Sequence, residues 1–198
     1  MPQKRLRLVV GLGNPGEAYA ETRHNAGFLA VDKVSDAFSI AFAQRKFDNR
    51  IGIGSVNGVK IVLAKPMVFM NRSGPQVHKI AGYFRILCED MLVVHDDIDL
   101  AFGKLKIKEK GGDGGHRGIR SLIDAFGGGD FVRLRIGVGR PEDGIGAADY
   151  VLGKFNLEER KNLDRIITAA KDAVVTTLCK GTKEGMNRFN DKRISILS

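Results

Sequence analysis

Short apolar runs and amphipathic stretches alternate along the 198 residues. Arg7 to Gly11 reads as a buried first strand, and Asn25 to Phe38 as a helix with Phe28, Leu29, Val31, Val34 and Phe38 at helical spacing. Asn25 stands at that helix's N-cap position. Arg50 to Val56 and Val59 to Ala64 flank Asn57-Gly58, a two-residue hairpin signal. Ser73 to Phe84 repeats the helical spacing through Val77, Ile80, Ala81 and Phe84. Met91 to Val94 is a short apolar strand running into the acidic cluster His95-Asp96-Asp97-Ile98-Asp99. Lys104 to Lys108 alternates lysine with apolar residues, the pattern of a half-exposed strand. After a glycine-rich run come a helix from Arg117 to Phe126, a strand from Val132 to Val138, and helices near Leu157 to Cys179 and Lys183 to Phe189. No linker-like stretch, low-complexity run or internal repeat intervenes. The pattern predicts an α/β fold: a single domain over residues 1–198 on a mixed, twisted β-sheet covered by helices on both faces.

Composition adds a charge question. A hydrophobic content of 43% is enough for a substantial core, and 32 Lys and Arg against 23 Asp and Glu give +9. Such an excess suits a polyanionic partner or simply a basic protein, and charge alone leaves both open. The pattern is sharper. Lys104, Lys106 and Lys108 share one strand face, as do Arg133 and Arg135. They form either a solvated edge that discourages sheet-to-sheet association or, if the strands are neighbours, a phosphate clamp. Few aromatics interleave with them, which favours backbone or end recognition over base stacking. Cys88 and Cys179 lack metal spacing and are expected to be reduced and structural, which fits a cytosolic compartment. No apolar run is long enough to span a bilayer, and the stretch after Lys4, Arg5 and Arg7 is too short for a signal peptide.

Gly11, Gly13 and Gly16 satisfy the dinucleotide fingerprint G-x-G-x-x-G. That fingerprint needs the turn to open directly into a helix, whose amides hold pyrophosphate. Here Asn14-Pro15-Gly16 is a turn, Pro15 removes an amide, and the helical pattern starts only near Asn25. A nucleotide-binding oxidoreductase fails on that helix placement. Sites in open α/β sheets gather at the carboxyl ends of strands. Polar clusters occupy three such ends, Gly13 to His24, Lys65 to Asn71 and His95 to Asp99, with the loop Gly111 to Gly118 as a possible fourth contributor. No serine lies in a G-x-S-x-G elbow and neither cysteine has an electropositive loop around it, so a nucleophile on the protein is disfavoured. Water activated by a histidine is the simple remaining route to hydrolysis. His78 reads as exposed and structural, His95 as a possible packed strand residue, and His116 as a loop anchor or substrate contact. His24, in a polar turn before a helix, is the best base candidate by position. His95, Asp96, Asp97, Asp99, Asp113 and His116 are metal-ligand types, but none stands in a familiar ligand motif. Strand alternation also sends Asp96 and Asp97 to opposite faces. No metal or cofactor is expected.

Gly-Leu-Gly-Asn-Pro-Gly from Gly11, Thr-Arg-His-Asn-Ala-Gly from Thr22 and Lys-Pro-Met-Val-Phe-Met-Asn-Arg-Ser-Gly from Lys65 resemble the bacterial-type peptidyl-tRNA hydrolase family. So do His-Asp-Asp-Ile-Asp-Leu from His95, Gly-Gly-His-Arg-Gly from Gly114 and Phe-Val-Arg-Leu-Arg-Ile-Gly-Val-Gly-Arg-Pro from Phe131. The resemblance spans nearly the whole chain in order. It implies a monomeric, metal-free, cytoplasmic esterase that frees stalled peptides from peptidyl-tRNA by cutting the bond to the terminal ribose. By motif, His24 would activate water, and Asp96 would orient His24 and stabilise its protonated form. Asn14 would distinguish a blocked from a free aminoacyl group. Tyr19, Phe69 and Asn71 would hold the acceptor end and the peptide, with the Asn71 amide as an oxyanion or water contact. Lys108 and Arg135 would clamp the tRNA 5′ phosphate, Met70 would pack at the site, and His116 would support the peptide groove. The family's glycine loop usually reads His-Asn-Gly, whereas this chain has His116-Arg117-Gly118. Arginine only donates, to a peptide carbonyl or a phosphate, so altered substrate affinity is expected. The alternative is a non-catalytic RNA-binding relative of the same fold; intact His24, Asp96, Asn14 and Asn71 favour the enzyme.

Overall fold

The strand Arg7–Gly11 (β1) is apolar almost throughout because the chain covers both of its faces. A computed structural model describes residues 5–141, 144–190 and Ile194; Lys4 lies outside them. β1 is joined by β2 (Gln44–Lys46), β3 (Asn49–Val56), β4 (Val59–Pro66), β5 (Met91–Asp97), β6 (Leu105–Lys108) and β7 (Val132–Gly137). They form one seven-stranded sheet in the order β2-β3-β4-β1-β5-β7-β6. The inner strands β4, β1, β5 and β7 are parallel, while β2, β3 and β6 run antiparallel to their neighbours. Asn57 and Gly58 close the β3–β4 hairpin with φ of 47° and 83°, the left-handed pair that Asn-Gly supplies at least cost.

Alternation divides the core into two layers. Val9, Leu63, Val94 and Leu134 face α1 (Ala26–Phe38), α5 (Leu157–Lys180) and α6 (Thr182–Phe189). Leu8, Val10, Val62 and Val93 face α2 (Ser73–Phe84) and α3 (Arg117–Phe126). The sheet is therefore covered on both sides, as the sequence predicts. A further helix, α4 (Ala147–Leu152), has no buried residue. Its pattern gave no amphipathic signal, and neither did that of the polar edge strand β2. β5 runs three residues beyond Val94, because the ladder to β7 continues through Asp96↔Ile136 and Asp97↔Gly137. His95 and Asp96 thus belong to a strand rather than to a loop. Both cysteines are free; Cys88 is half-buried, and Cys179 is exposed but donates its thiol to Val56 O at 3.7 Å. Among the described residues no helix is long and apolar enough to cross a membrane.

Candidate active site

The start of α1 is pressed onto the ends of β1 and β5. Leu12 N–H donates to Val94 O at 2.9 Å, and Phe28 N–H donates to Leu12 O at 3.2 Å. A Cβ on Gly27 would lie 2.3 Å from Val94 O, and one on Gly11 would lie 2.4 Å from Gly27 O. These glycines serve close helix–strand packing, in agreement with the reading that the G-x-G-x-x-G run is no phosphate cradle. The approach fixes the short 3₁₀ turn Arg23–Asn25, all three of whose residues are buried. Asn25 occupies the N-cap position of α1, but its side chain does not cap the helix. Its Oδ1 accepts from Asn14 N–H at 2.8 Å and its Nδ2 donates to Asn14 O at 3.0 Å, so it braces the Asn14 turn instead.

Arg23 locks this turn from the other side. Its buried guanidinium pairs with Glu159 at 2.6 Å, stacks 4.2 Å from the Tyr150 ring centroid and donates to Lys154 O at 3.0 Å. Glu159 closes a capping box with Asn156 at the start of α5. His24 is therefore tied to α4 and α5, across about 130 residues of chain. Sequence reasoning missed Asn25 and Arg23 as supports. The Asn156-x-x-Glu159 pattern was the available signal for the second of them.

Asp96, 2% exposed, receives two histidines. His24 Nδ1 lies 2.9 and 3.0 Å from its two carboxylate oxygens, and His116 Nε2 lies 2.9 Å from Oδ1. His116 Nδ1 accepts from Gly118 N–H and Ile119 N–H at 3.2 Å each, which makes the imidazole the N-cap of α3. An atom that accepts two amides carries no proton, so the proton of neutral His116 sits on Nε2 and is donated to Asp96. The carboxylate likewise fixes the His24 proton on Nδ1 and leaves Nε2 with a free lone pair. Burial alone would raise the Asp96 pKa, but His116 and His24 outweigh it and hold the carboxyl below the ordinary carboxylate range. His95 packs 4.7 Å from the His116 ring and donates from Nδ1 to Asp96 O at 2.7 Å, and its buried Nε2 has no partner. Burial, then the neighbouring His116, pushes its pKa well below the usual value, so it is neutral. His78 is exposed against Phe126, as its sequence context suggested.

These groups face a cavity of about 480 Å³ at the carboxyl ends of β1, β4 and β5. Asn14, Tyr19, His24, Phe69, Asn71, Asp96, His116 and Arg117, predicted from four separate segments, all line it. Asn14 Oδ1 accepts from Met70 N–H at 2.8 Å, so the Asn14 amide presents its NH₂ as the free end. Met70 is buried and also lines the cavity. Phe69 is 56% exposed and meets Tyr19 edge-on at 6.4 Å, forming an aromatic rim. Ala147, Val151 and Leu152 of α4 form a wall that the sequence pattern did not reveal.

Lys108 and Arg135 do not line the cavity. They share one face of the paired strands β6 and β7, where Lys106 lies opposite Arg135 and Lys108 opposite Arg133. Arg135 is paired with Asp97, which itself lines the cavity. Arg133 is buried and donates to Gly111 O and Gly129 O, so it anchors the glycine loop and cannot join a phosphate clamp. Of the acidic ligand types, Asp97, Asp99 and Asp113 are held by Arg135, Arg140 and Arg120. Among the described residues, His24, Asp96 and His116 are the group whose potential ligand atoms lie within 4.8 Å of one another.

Comparison with known proteins decides the family. The peptidyl-tRNA hydrolase family model matches residues 8–196. The chain belongs to the peptidyl-tRNA hydrolase family. It is similar to the peptidyl-tRNA hydrolase of Desulforudis audaxviator, 44% identical over 96% of this chain and 95% of the relative. It also resembles that of Brevibacillus brevis, 40% identical over 93% of this chain and 98% of the relative. The crystal structure of peptidyl-tRNA hydrolase from Acinetobacter baumannii superposes with a TM-score of 0.90 at 36% identity, covering 98% of this chain and all of that one. The family thus accounts for the α/β fold as well as for the motif order.

Proposed function

We propose that this hydrolase of peptidyl-tRNA cleaves its ester with a water molecule that His24 deprotonates, without a metal or a covalent intermediate. The observation that carries the reading is the chain His24–Asp96–His116 at the floor of the cavity. His24 Nε2 takes a proton from water as the oxygen attacks the acyl carbon, and the buried carboxylate stabilises the imidazolium that forms. Asn71, on the rim, donates to the oxyanion. Collapse of the tetrahedral intermediate breaks the bond between acyl carbon and ribose oxygen, and the imidazolium returns its proton to that oxygen. Asn14, its carbonyl held by Met70, offers N–H to the carbonyl of a blocked aminoacyl group, a group that a free aminoacyl ester lacks. Tyr19 and Phe69 hold the acceptor end, and Lys108 with Arg135 meets the 5′ phosphate.

The metal-free reading has a stereochemical basis. His24 Nδ1 and His116 Nε2 both use their protons toward Asp96, and His116 Nδ1 is occupied by two helix amides. A cation among them would have to displace both protons. A pure RNA-binding protein, for its part, has no use for a buried carboxylate between two histidines. We read the enzyme as a monomer acting in the cytoplasm, where its substrate arises. The test is incubation with N-acetylaminoacyl-tRNA and with free aminoacyl-tRNA, each with and without chelator. The expected result is release from the acetylated substrate alone, at the same rate in chelator. No release contradicts the hydrolytic reading, and release abolished by chelator contradicts the metal-free one.

A further inference from the structure

A second cleft, about 700 Å³ in volume, runs between the first turn of α2 and the length of α3, from Arg117 to Ala125. Asn71 and Arg117 line both this cleft and the catalytic cavity, so the two openings adjoin. Arg72 and Arg117 contribute exposed guanidinium groups to it, with no hydrogen-bond or ion-pair partner among the described residues. The third arginine there differs: Arg120 is paired with Asp113 at 3.0 Å, and the cleft carboxylate Asp124 also acts on its charge. Arg72 and Arg117 are therefore the cleft's unpaired cations, and with Asp124 as its one carboxylate the cleft stays net positive.

The fold sets the direction in which a substrate crosses this region. The cleft follows the seam where α3 meets α2, and α2 packs in turn against β3 and β4. Lys108 and Arg135 stand on β6 and β7, at the opposite edge. An ester held at His24 with its tRNA toward β6 and β7 sends its acyl chain toward the cleft. An extended peptide advances about 3.4 Å per residue, so the first few residues upstream of the ester fall beside Asn71, Arg117 and Arg72.

We propose that this cleft receives the peptide part of the substrate, and that Arg72 and Arg117 give the enzyme a preference for acidic side chains close to the ester. The proposal rests on the peptidyl-tRNA reading of the site and deepens it. Exposed arginine–carboxylate pairs are individually weak, on the order of twofold to fivefold in affinity each, and salt screens them. Two of them acting on one short segment make a preference, not an absolute requirement. The polyanion has its own cations at the other edge of the sheet, which leaves the cleft arginines to the peptide.

The test uses the full chain and three N-acetylated dipeptidyl-tRNAs that differ only in Glu, Gln or Lys before the ester-linked residue. The expected KM order is Glu below Gln below Lys, with a total spread of about threefold to tenfold at low salt, narrower at high salt, and similar kcat. Replacing both residues, Arg72→Gln and Arg117→Gln, flattens the order, and Arg72→Glu reverses part of it. Equal KM values for the three substrates with the unmodified enzyme overturn the proposal. So do arginine variants that keep the Glu-to-Lys ratio while losing affinity for deacylated tRNA, since the arginines would then serve the nucleic acid. Absence of turnover with all three substrates is a distinct result, which removes the hydrolytic reading itself.

Discussion

At the residue scale, the proposed chemistry rests on where two protons sit. The Asp96 carboxylate is shared, and the share taken by His116 is fixed by a helix terminus: two amides of α3 occupy Nδ1 and leave Nε2–H to the carboxylate. A donor on Asp96 makes it a weaker partner for the imidazolium of His24. His116→Asn separates these effects, because asparagine is a good N-cap but is too short to keep the bond to Asp96. The expected outcome is near-normal thermal stability with a raised kcat, since the relieved carboxylate is a stronger partner for the imidazolium that forms as water is deprotonated. An unchanged kcat with lowered stability would reduce His116 to a helix cap. Both members of the His24–Asp96 pair were legible in the sequence, His24 from its polar turn and Asp96 from the family motif. The tautomer lock was not, because it depends on helix amides meeting a ring nitrogen across folded segments.

At the scale of elements, the site is held by contacts of backbone on backbone. The first turn of α1 sits so close to β1 and β5 that Gly27→Ala would place a methyl 2.3 Å from Val94 O. That group has no room to yield within a ladder, so α1 must shift. The expected cost is about 1–3 kcal/mol in urea unfolding, together with lower kcat as the His24 turn moves off Asp96. Unchanged stability and turnover would show the helix free to relax. β6 and β7 bring lysines and arginines onto one face, as strand alternation foretold, but burial removes Arg133 from the set. Only the packing of the glycine loop over β7 could reveal that. Lys108→Gln should reduce the salt dependence of tRNA binding by about one unit of slope. An unaltered slope takes Lys108 out of the phosphate contact.

For the whole molecule, alternation of apolar patterns was enough to read a mixed sheet covered on both sides. It missed β2 and α4 because neither buries an apolar stripe, and it ended β5 early because His95 and Asp96 are polar residues paired inside a sheet. Those two residues also make stability depend on pH. His95 stays neutral when folded, with its pKa well below the usual value, whereas the unfolded chain takes up a proton near pH 6.5. Between those values the unfolded state binds more protons, so stability falls as pH falls below about 6.5. Asp96, with its folded pKa lowered, adds stability that is present above about pH 4 and is lost as pH falls toward the folded value. Unfolding free energies between pH 7 and 5 should slope downward by as much as about 1.4 kcal/mol per unit, and His95→Asn should flatten that slope. An identical slope in the variant would assign it to other groups. The role of His24 as base is tested by the single-turnover cleavage rate of N-acetylaminoacyl-tRNA by His24→Ala at saturating enzyme, with tRNA affinity measured alongside. If His24 deprotonates the water, the rate falls by about 10²–10⁴ with affinity nearly unchanged; a variant that keeps most of its rate removes His24 from that role.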